Sequence, residues 1–172
     1  VNDDCSSDDS AAMVARFAAA APFAVRLEVN PRRLGSTANF DRAVARCTGS
    51  HIALCDQDDV WRADKLERLA AAFAARPGAG MAFSNAERVD AALAPLPLDL
   101  WQSHRLPADL CAIVESERAA DYLLGHAVVT GATMAFAADL RALLQPFPDD
   151  LGDWIHDRWC ATLAALAAPI AC

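Results

Sequence analysis

The sequence predicts an α/β fold: a mostly parallel sheet with helices on both faces. Residues 1–85 alternate strand-like and helix-like segments about four times, the pattern of a parallel sheet with crossover helices. The short apolar run 52–55 ends in three carboxylates, Asp56, Asp58 and Asp59, as a buried strand ends at the ligand-binding edge of an open sheet. Apolar residues make up 55% of the 172-residue chain, enough for one sizeable core and too many for disorder.

Taken in order, the chain opens on Val1-Asn2-Asp3-Asp4, the end of a strand running into a polar turn. Ser7 or Asp8 can cap a helix over 10–20, with Met13, Val14 and Phe17 on one face. Residues 23–29 read as a strand that Asn30-Pro31 breaks. A helix follows from Leu34 to about Cys47, with Phe40, Val44 and Cys47 inward, and Thr48-Gly49-Ser50 ends it. After the acidic strand, residues 64–76 form a strongly amphipathic helix that Pro77-Gly78 stops, and 81–84 read as a strand. The second half is less regular. Pro95 and Pro97 mark an extended arm over 89–105, and 107–124 read as helix in two pieces. The apolar stretch 127–136 around Thr130-Gly131 holds one or two strands, 138–144 a short helix, 146–150 a loop and 153–168 a closing helix. The Ala-rich end, 160–172, reads as buried helix.

Charge and cysteine content narrow the function. The net charge is −8, from 15 basic and 23 acidic residues with no basic stripe, so nucleic acid is not a partner. Lys65 is the only lysine, and the arginine and alanine excess reads as coding bias. None of the six cysteines is spaced as C-x-x-C, and most lie in apolar surroundings as small buried hydrophobes. These features predict a reducing, cytoplasmic setting. No apolar run is long enough to span a bilayer, so any membrane association, at the inner face of the cell membrane, is peripheral.

Asp56, Asp58 and Asp59 repel one another unless a cation or basic group neutralises them. Few hard oxygen ligands suit Mg²⁺ or Mn²⁺ completed by a substrate phosphate. The same residues also fit an exposed acidic turn before the helix that begins near Asp64.

Larger blocks carry a resemblance. Asp3-Asp4-Cys5-Ser6-Ser7-Asp8 resembles the Asp-Asp-Gly-Ser-Thr-Asp turn of family 2 glycosyltransferases, which have the GT-A fold. Asn30 through Asn39, Gly49, and Cys55-Asp56-Gln57-Asp58-Asp59-Val60-Trp61 with Lys65-Leu66 resemble that family's central block. Thr130-Gly131-Ala132-Thr133-Met134 and His156-Asp157-Arg158-Trp159 are similar to rhamnosyltransferase-like members that act in polysaccharide synthesis. The family's opening strand–helix unit has no counterpart, so the resemblance implies an N-terminally truncated member, a single domain over 1–172. Its 1–85 half would hold nucleotide-sugar and metal, and its 86–172 half the acceptor. Cys5 stands where the family commonly has glycine.

The resemblance implies sugar transfer from a UDP- or dTDP-linked donor to a glycan or lipid-linked glycan, with inversion. It makes Asp58 the metal ligand, with Asp59 assisting through metal-bound water, and places Asp56 beside the ribose or metal. Asp3 would accept a hydrogen bond from a uracil or thymine base. Asp157 would be the base, though a first-turn helix aspartate fits the same residue; His156 would support it or contact phosphate, and an exposed structural histidine fits it equally. Gly131 would allow close approach to donor or acceptor, and Trp61 and Trp159 would wall the sugar site; a turn glycine and core packing fit the same residues. His51, His104 and His126 read as structural.

Two other readings fit parts of the chain. One is an inactive remnant with at most weak nucleotide binding. The other is a haloacid-dehalogenase-type phosphatase. Asp56-x-Asp58-x-Val60 matches its nucleophile motif, Ser84 its second motif and Gly152-Asp153-Trp154-Ile155-His156-Asp157 its late acids. That chemistry needs a lysine between the serine and the late acids, and no lysine follows Lys65.

Overall fold

A computed structural model describes residues 1–150, 152 and 154–172. Asp153, expected to begin the closing helix and part of the phosphatase-like motif, lies outside the described residues. The chain forms two compact units, residues 1–48 with 145–153, and residues 49–144 with 154–172. These units do not coincide with the halves 1–85 and 86–172 that the resemblance implies.

In the first unit, β1 (Asn2–Asp3) pairs in parallel with β2 (Glu28–Val29). The helices are α1 (Ser10–Ala20) and α2 (Ser36–Ala45). Only the last two residues of the expected 23–29 strand pair; Phe23 instead lies edge-on to Phe17. Of the inward face expected on α2, Val44 is buried and Phe40 and Cys47 are half-buried. Asp41 on α2 accepts hydrogen bonds from Gln145 Nε2 and from the backbone N–H of Phe147, whose ring is buried. The apolar face of α1 behaves otherwise: Met13 and Phe17 are exposed, and the helix buries no residue.

The second unit holds a four-stranded sheet in the order β3 (His51–Ala53), β5 (Met134–Ala137), β4 (Met81–Phe83), β6 (Ile170–Ala171). β4 and β6 run parallel, whereas β5 is antiparallel to both β3 and β4. The strand expected within 127–136 therefore enters between two earlier strands from the opposite end. Side chains alternate across the sheet. On one side Ala53, Ala82, Ala135 and Ala171 pack with Leu69, Ala72 and Phe73 of α3 (Lys65–Ala75). The large residues Met81, Phe83, Met134, Phe136 and Ile170 take the other register and are fully buried. There α8 (His156–Ala167) contacts β4, and α5 (Leu110–Val114) contacts β6. At Gly80, next to β4, a Cβ would come within 2.6 Å of Ala168 Cβ and 2.8 Å of Leu140 Cδ1, so only glycine fits.

The region 107–124 forms α5 and α6 (Ala119–Gly125), the two pieces expected. The arm is extended, closed by a bridge between Val89 and Pro95, and ends in the short α4 (Leu100–Ser103). Residues 138–144 form a 3₁₀ turn followed by α7 (Arg141–Leu144).

Two expectations are corrected. The end of the chain is not all helix: Pro169 lacks the N–H a helix would need, α8 stops at Ala167, and β6 follows. Cys111 and Cys172 are not isolated apolar thiols but a disulfide. No sequence spacing announces it, since the pair is 61 residues apart and meets only because β6 packs by α5. Closing so long a loop restricts the unfolded chain. Cys172→Ala is therefore expected to lower unfolding free energy by about 2–4 kcal/mol, read by urea melts. A melt unchanged by the substitution would remove the staple from the account of stability.

Candidate active site

The sheet topology builds the site. β3 and β4 both end at the same edge, and β5, running against them, begins there. The carbonyl of Met134 accepts a hydrogen bond from Leu54 N (3.3 Å), and the carbonyl of Thr133 accepts one from Ser84 N (3.2 Å). The 3₁₀ turn Gly131–Thr133 that leads into β5 is thereby fastened beside the acidic loop that leaves β3. All three residues of that turn are buried.

Asp157 lies in the first turn of α8, where a carboxylate is favoured by the helix dipole, and is only 7% exposed. Its Oδ2 accepts a hydrogen bond from the backbone N–H of Gly131 at 2.9 Å. Among the described residues its Oδ1 accepts none, although it is buried; it lies 3.5 Å from His156 Nε2. Burial pushes the His156 imidazole below its ordinary pKa, against the opposing pull of Asp157 and Asp56. A Cβ on residue 131 would lie 3.4 Å from His156 Nε2 and 3.5 Å from Asp157 Oδ2. Glycine leaves that space open above the carboxylate.

Asp56 is half-buried, and desolvation raises its pKa. His156 draws it back down, while Asp157, Asp59 and Asp58 raise it further. Asp56, His156 and Asp157 therefore sense one another electrostatically, although Asp56 lies 100 residues before His156 in sequence. Asp58 and Asp59 are exposed, and Asp58 Oδ1 accepts a weak hydrogen bond from Gln57 Nε2 at 3.4 Å. Trp61 is half-buried, and its ring face carries the Lys65 ammonium 4.1 Å from the centroid. Trp159 donates from Nε1 to the Leu144 carbonyl at 2.9 Å, so its polar edge is used to dock α8 on α7. Among the described residues no three His, Cys, Asp or Glu side chains converge as a metal cage. The sparse, exposed pair Asp58 and Asp59 fits an ion that takes most of its ligands from phosphate and water.

Asp3 belongs to the first unit, where it ends β1; its Oδ2 accepts the Ser6 N–H at 3.0 Å and shapes the polar turn. Next to it is a hydrogen-bonded network that takes in Asn30 and Asn39, the ends of a block noted only for its family resemblance. Asp4 accepts hydrogen bonds from Asn30 Nδ2, Leu34 N and Gly35 N. Asn39 Oδ1 accepts from Asn2 Nδ2 and Asn30 Nδ2, and Asn30 is 2% exposed. These bonds hold Asp4 ionised: partial burial raises its pKa, and its hydrogen bonds and Arg33 more than offset that. Cys5, in place of glycine, does adopt a left-handed φ of 62°. In the second unit, the features not foreseen are the Gly131–Asp157 hydrogen bond and the placement of Lys65. Among the described residues no helix is long and apolar enough to cross a membrane.

Comparison with known proteins agrees with this architecture. The chain is similar to S. aureus TarS 1-349, with 15% identity and a TM-score of 0.64, over 99% of this chain and 47% of that one. It is also similar to mannosyltransferase PcManGT from Pyrobaculum calidifontis, solved in complex with GDP-Man and Mn²⁺. That match has 22% identity and a TM-score of 0.67, over 99% of this chain and 43% of that one. The chain thus spans less than half the length of either structure, and at these identities the likeness is one of fold, GT-A-like. No curated protein sequence matches the chain. Residues 1–105 match Glycosyl transferase family 2, including the Asp56–Val60 stretch that also suits a phosphatase motif, and this sets the phosphatase reading aside. The chain belongs to glycosyl transferase family 2.

Proposed function

We propose that the chain transfers a sugar, with inversion, from a UDP- or dTDP-linked donor to a glycan or lipid-linked glycan, and that Asp157 is the base. The observation that carries this is the state of its carboxylate. Oδ2 is held by the Gly131 N–H beside the space that glycine leaves open, and among the described residues the buried Oδ1 accepts no hydrogen bond. Such an oxygen is oriented to take the proton of an acceptor hydroxyl as that hydroxyl attacks the anomeric carbon. His156 Nε2 flanks Oδ1 at 3.5 Å, and burial holds its imidazole below the ordinary pKa.

Asp58, with Asp59, would hold Mg²⁺ or Mn²⁺, and Asp56 would face the ribose or the ion. The ion, when bound, supplies positive charge against the diphosphate leaving group. Trp61 offers an aromatic face beside the acidic loop for the donor sugar. The rhamnosyltransferase-like reading rests on the Thr130-Gly131 and His156-Asp157 blocks. A lipid-linked acceptor is supported by the exposed apolar side chains Leu93, Leu96 and Leu98 on the arm of the second unit, which are available for peripheral contact with a membrane.

Asp3 would contact the nucleobase of the donor. Its carboxylate accepts hydrogen bonds, as a uracil or thymine imino group requires. With Mn²⁺ present, calorimetry is expected to show UDP or dTDP binding roughly tenfold or more tighter than GDP. Asp3→Ala should erase most of that difference. Equal or tighter binding of GDP would move the donor to a guanine nucleotide.

A further inference from the structure

We propose that Lys65 is a positioning residue for the transfer site: its ammonium ties the Gly131–Thr133 turn to the acidic loop and so fixes the carboxylate of Asp157. Lys65 Nζ donates a hydrogen bond to the Ala132 carbonyl, at the middle of that turn. The same ammonium sits over the Trp61 ring, 4.1 Å from its centroid. One residue before Ala132, the Gly131 N–H donates to Asp157 Oδ2. A continuous path thus runs from Trp61 through Lys65 and the turn to Asp157, all within the second unit.

Local preference argues against a lysine here, which gives its presence weight. Lys65 is the first residue of α3, where the helix dipole disfavours a cation. It is half-buried, and desolvation lowers its pKa, offset in part by Cys55, Asp59 and Asp56. It is also the only lysine among 15 basic residues, in a chain that otherwise uses arginine. The compact ammonium is the feature that separates it from arginine: a point donor with a short reach fits between an aromatic face and a buried carbonyl. Its charge also faces the acidic loop, where Asp56 and Asp59 act on it.

This inference rests on the reading of Asp157 as the base. The test is chosen so that the two can fail separately. Amide hydrogen exchange is followed by NMR in the wild-type chain, Lys65→Met and Lys65→Arg. In Lys65→Met, Gly131 is expected to exchange about tenfold faster, while Met81, Ala82 and Phe83 of β4 keep their protection. Lys65→Arg, whose broad planar guanidinium does not fit between the ring and the carbonyl, is expected to lose most of the Gly131 protection while β4 keeps its own. In a transfer-competent protein, Lys65→Met should lower kcat roughly 10- to 100-fold with little change in donor KM. Unchanged Gly131 exchange in Lys65→Met overturns the inference, and so does an equal loss of protection in β4, which would mark a general loss of stability. Should Lys65→Met not fold, Lys65→Arg decides alone: tenfold faster exchange at Gly131 with β4 still protected supports the tie, and wild-type protection at Gly131 overturns it. Failure of the base assignment would appear elsewhere, as intact turnover in Asp157→Asn.

Discussion

Asp157→Asn is expected to lower turnover by roughly 10²–10⁴-fold, the usual contribution of a positioned general base. Asparagine keeps the shape and still offers an oxygen to the Gly131 N–H, so the turn should stay in place. It replaces Oδ1 by a group that cannot take a proton. Donor and Mn²⁺ affinity should therefore remain within a few-fold of wild type, since neither depends on that oxygen. Melting temperature should hold or rise, because the substitution removes a buried carboxylate that pushes against Asp56. Turnover and nucleotide affinity measured side by side decide the matter. A loss confined to donor affinity would make Asp157 a binding residue.

Asp58→Asn is expected to abolish Mn²⁺-dependent binding of a nucleoside diphosphate and to leave the fold intact. The side chain is exposed and makes only a weak hydrogen bond to Gln57, so packing does not depend on it. What it contributes is charge, beside Asp59 and near Asp56. Removing one of several like charges relieves repulsion, and exposure keeps the gain small. Calorimetry with UDP, with and without Mn²⁺, reads the effect; Mn²⁺-dependent binding that survives in Asp58→Asn sinks the ligand assignment.

Several parts of this protein could be read from the residues in order. The helices over 10–20, 36–45 and 65–75 follow from apolar spacing and from the prolines and glycines that end them. The acidic stretch was legible because carboxylates seldom crowd the end of an apolar run without a partner. The two-piece helix over 107–124 was legible too, because its apolar spacing is interrupted once.

Other features depend on partners distant in sequence. Whether a strand runs parallel or antiparallel depends on which end of the sheet the chain re-enters, and 127–136 looks the same either way. That choice sets the candidate site, because antiparallel β5 begins where β3 and β4 end, and so brings Gly131 to the acidic loop. The Cys111–Cys172 bridge and the strand β6 have the same origin: each exists only because a partner far along the chain is adjacent in space. Lys65 shows the division within one residue. By sequence it is the first residue of an amphipathic helix, in a place that suits an acid better. Only the fold sets its ammonium between Trp61 and the Ala132 carbonyl, because local patterning determines which segments form helices and strands, while hydrogen bonds between distant segments determine which side chains meet.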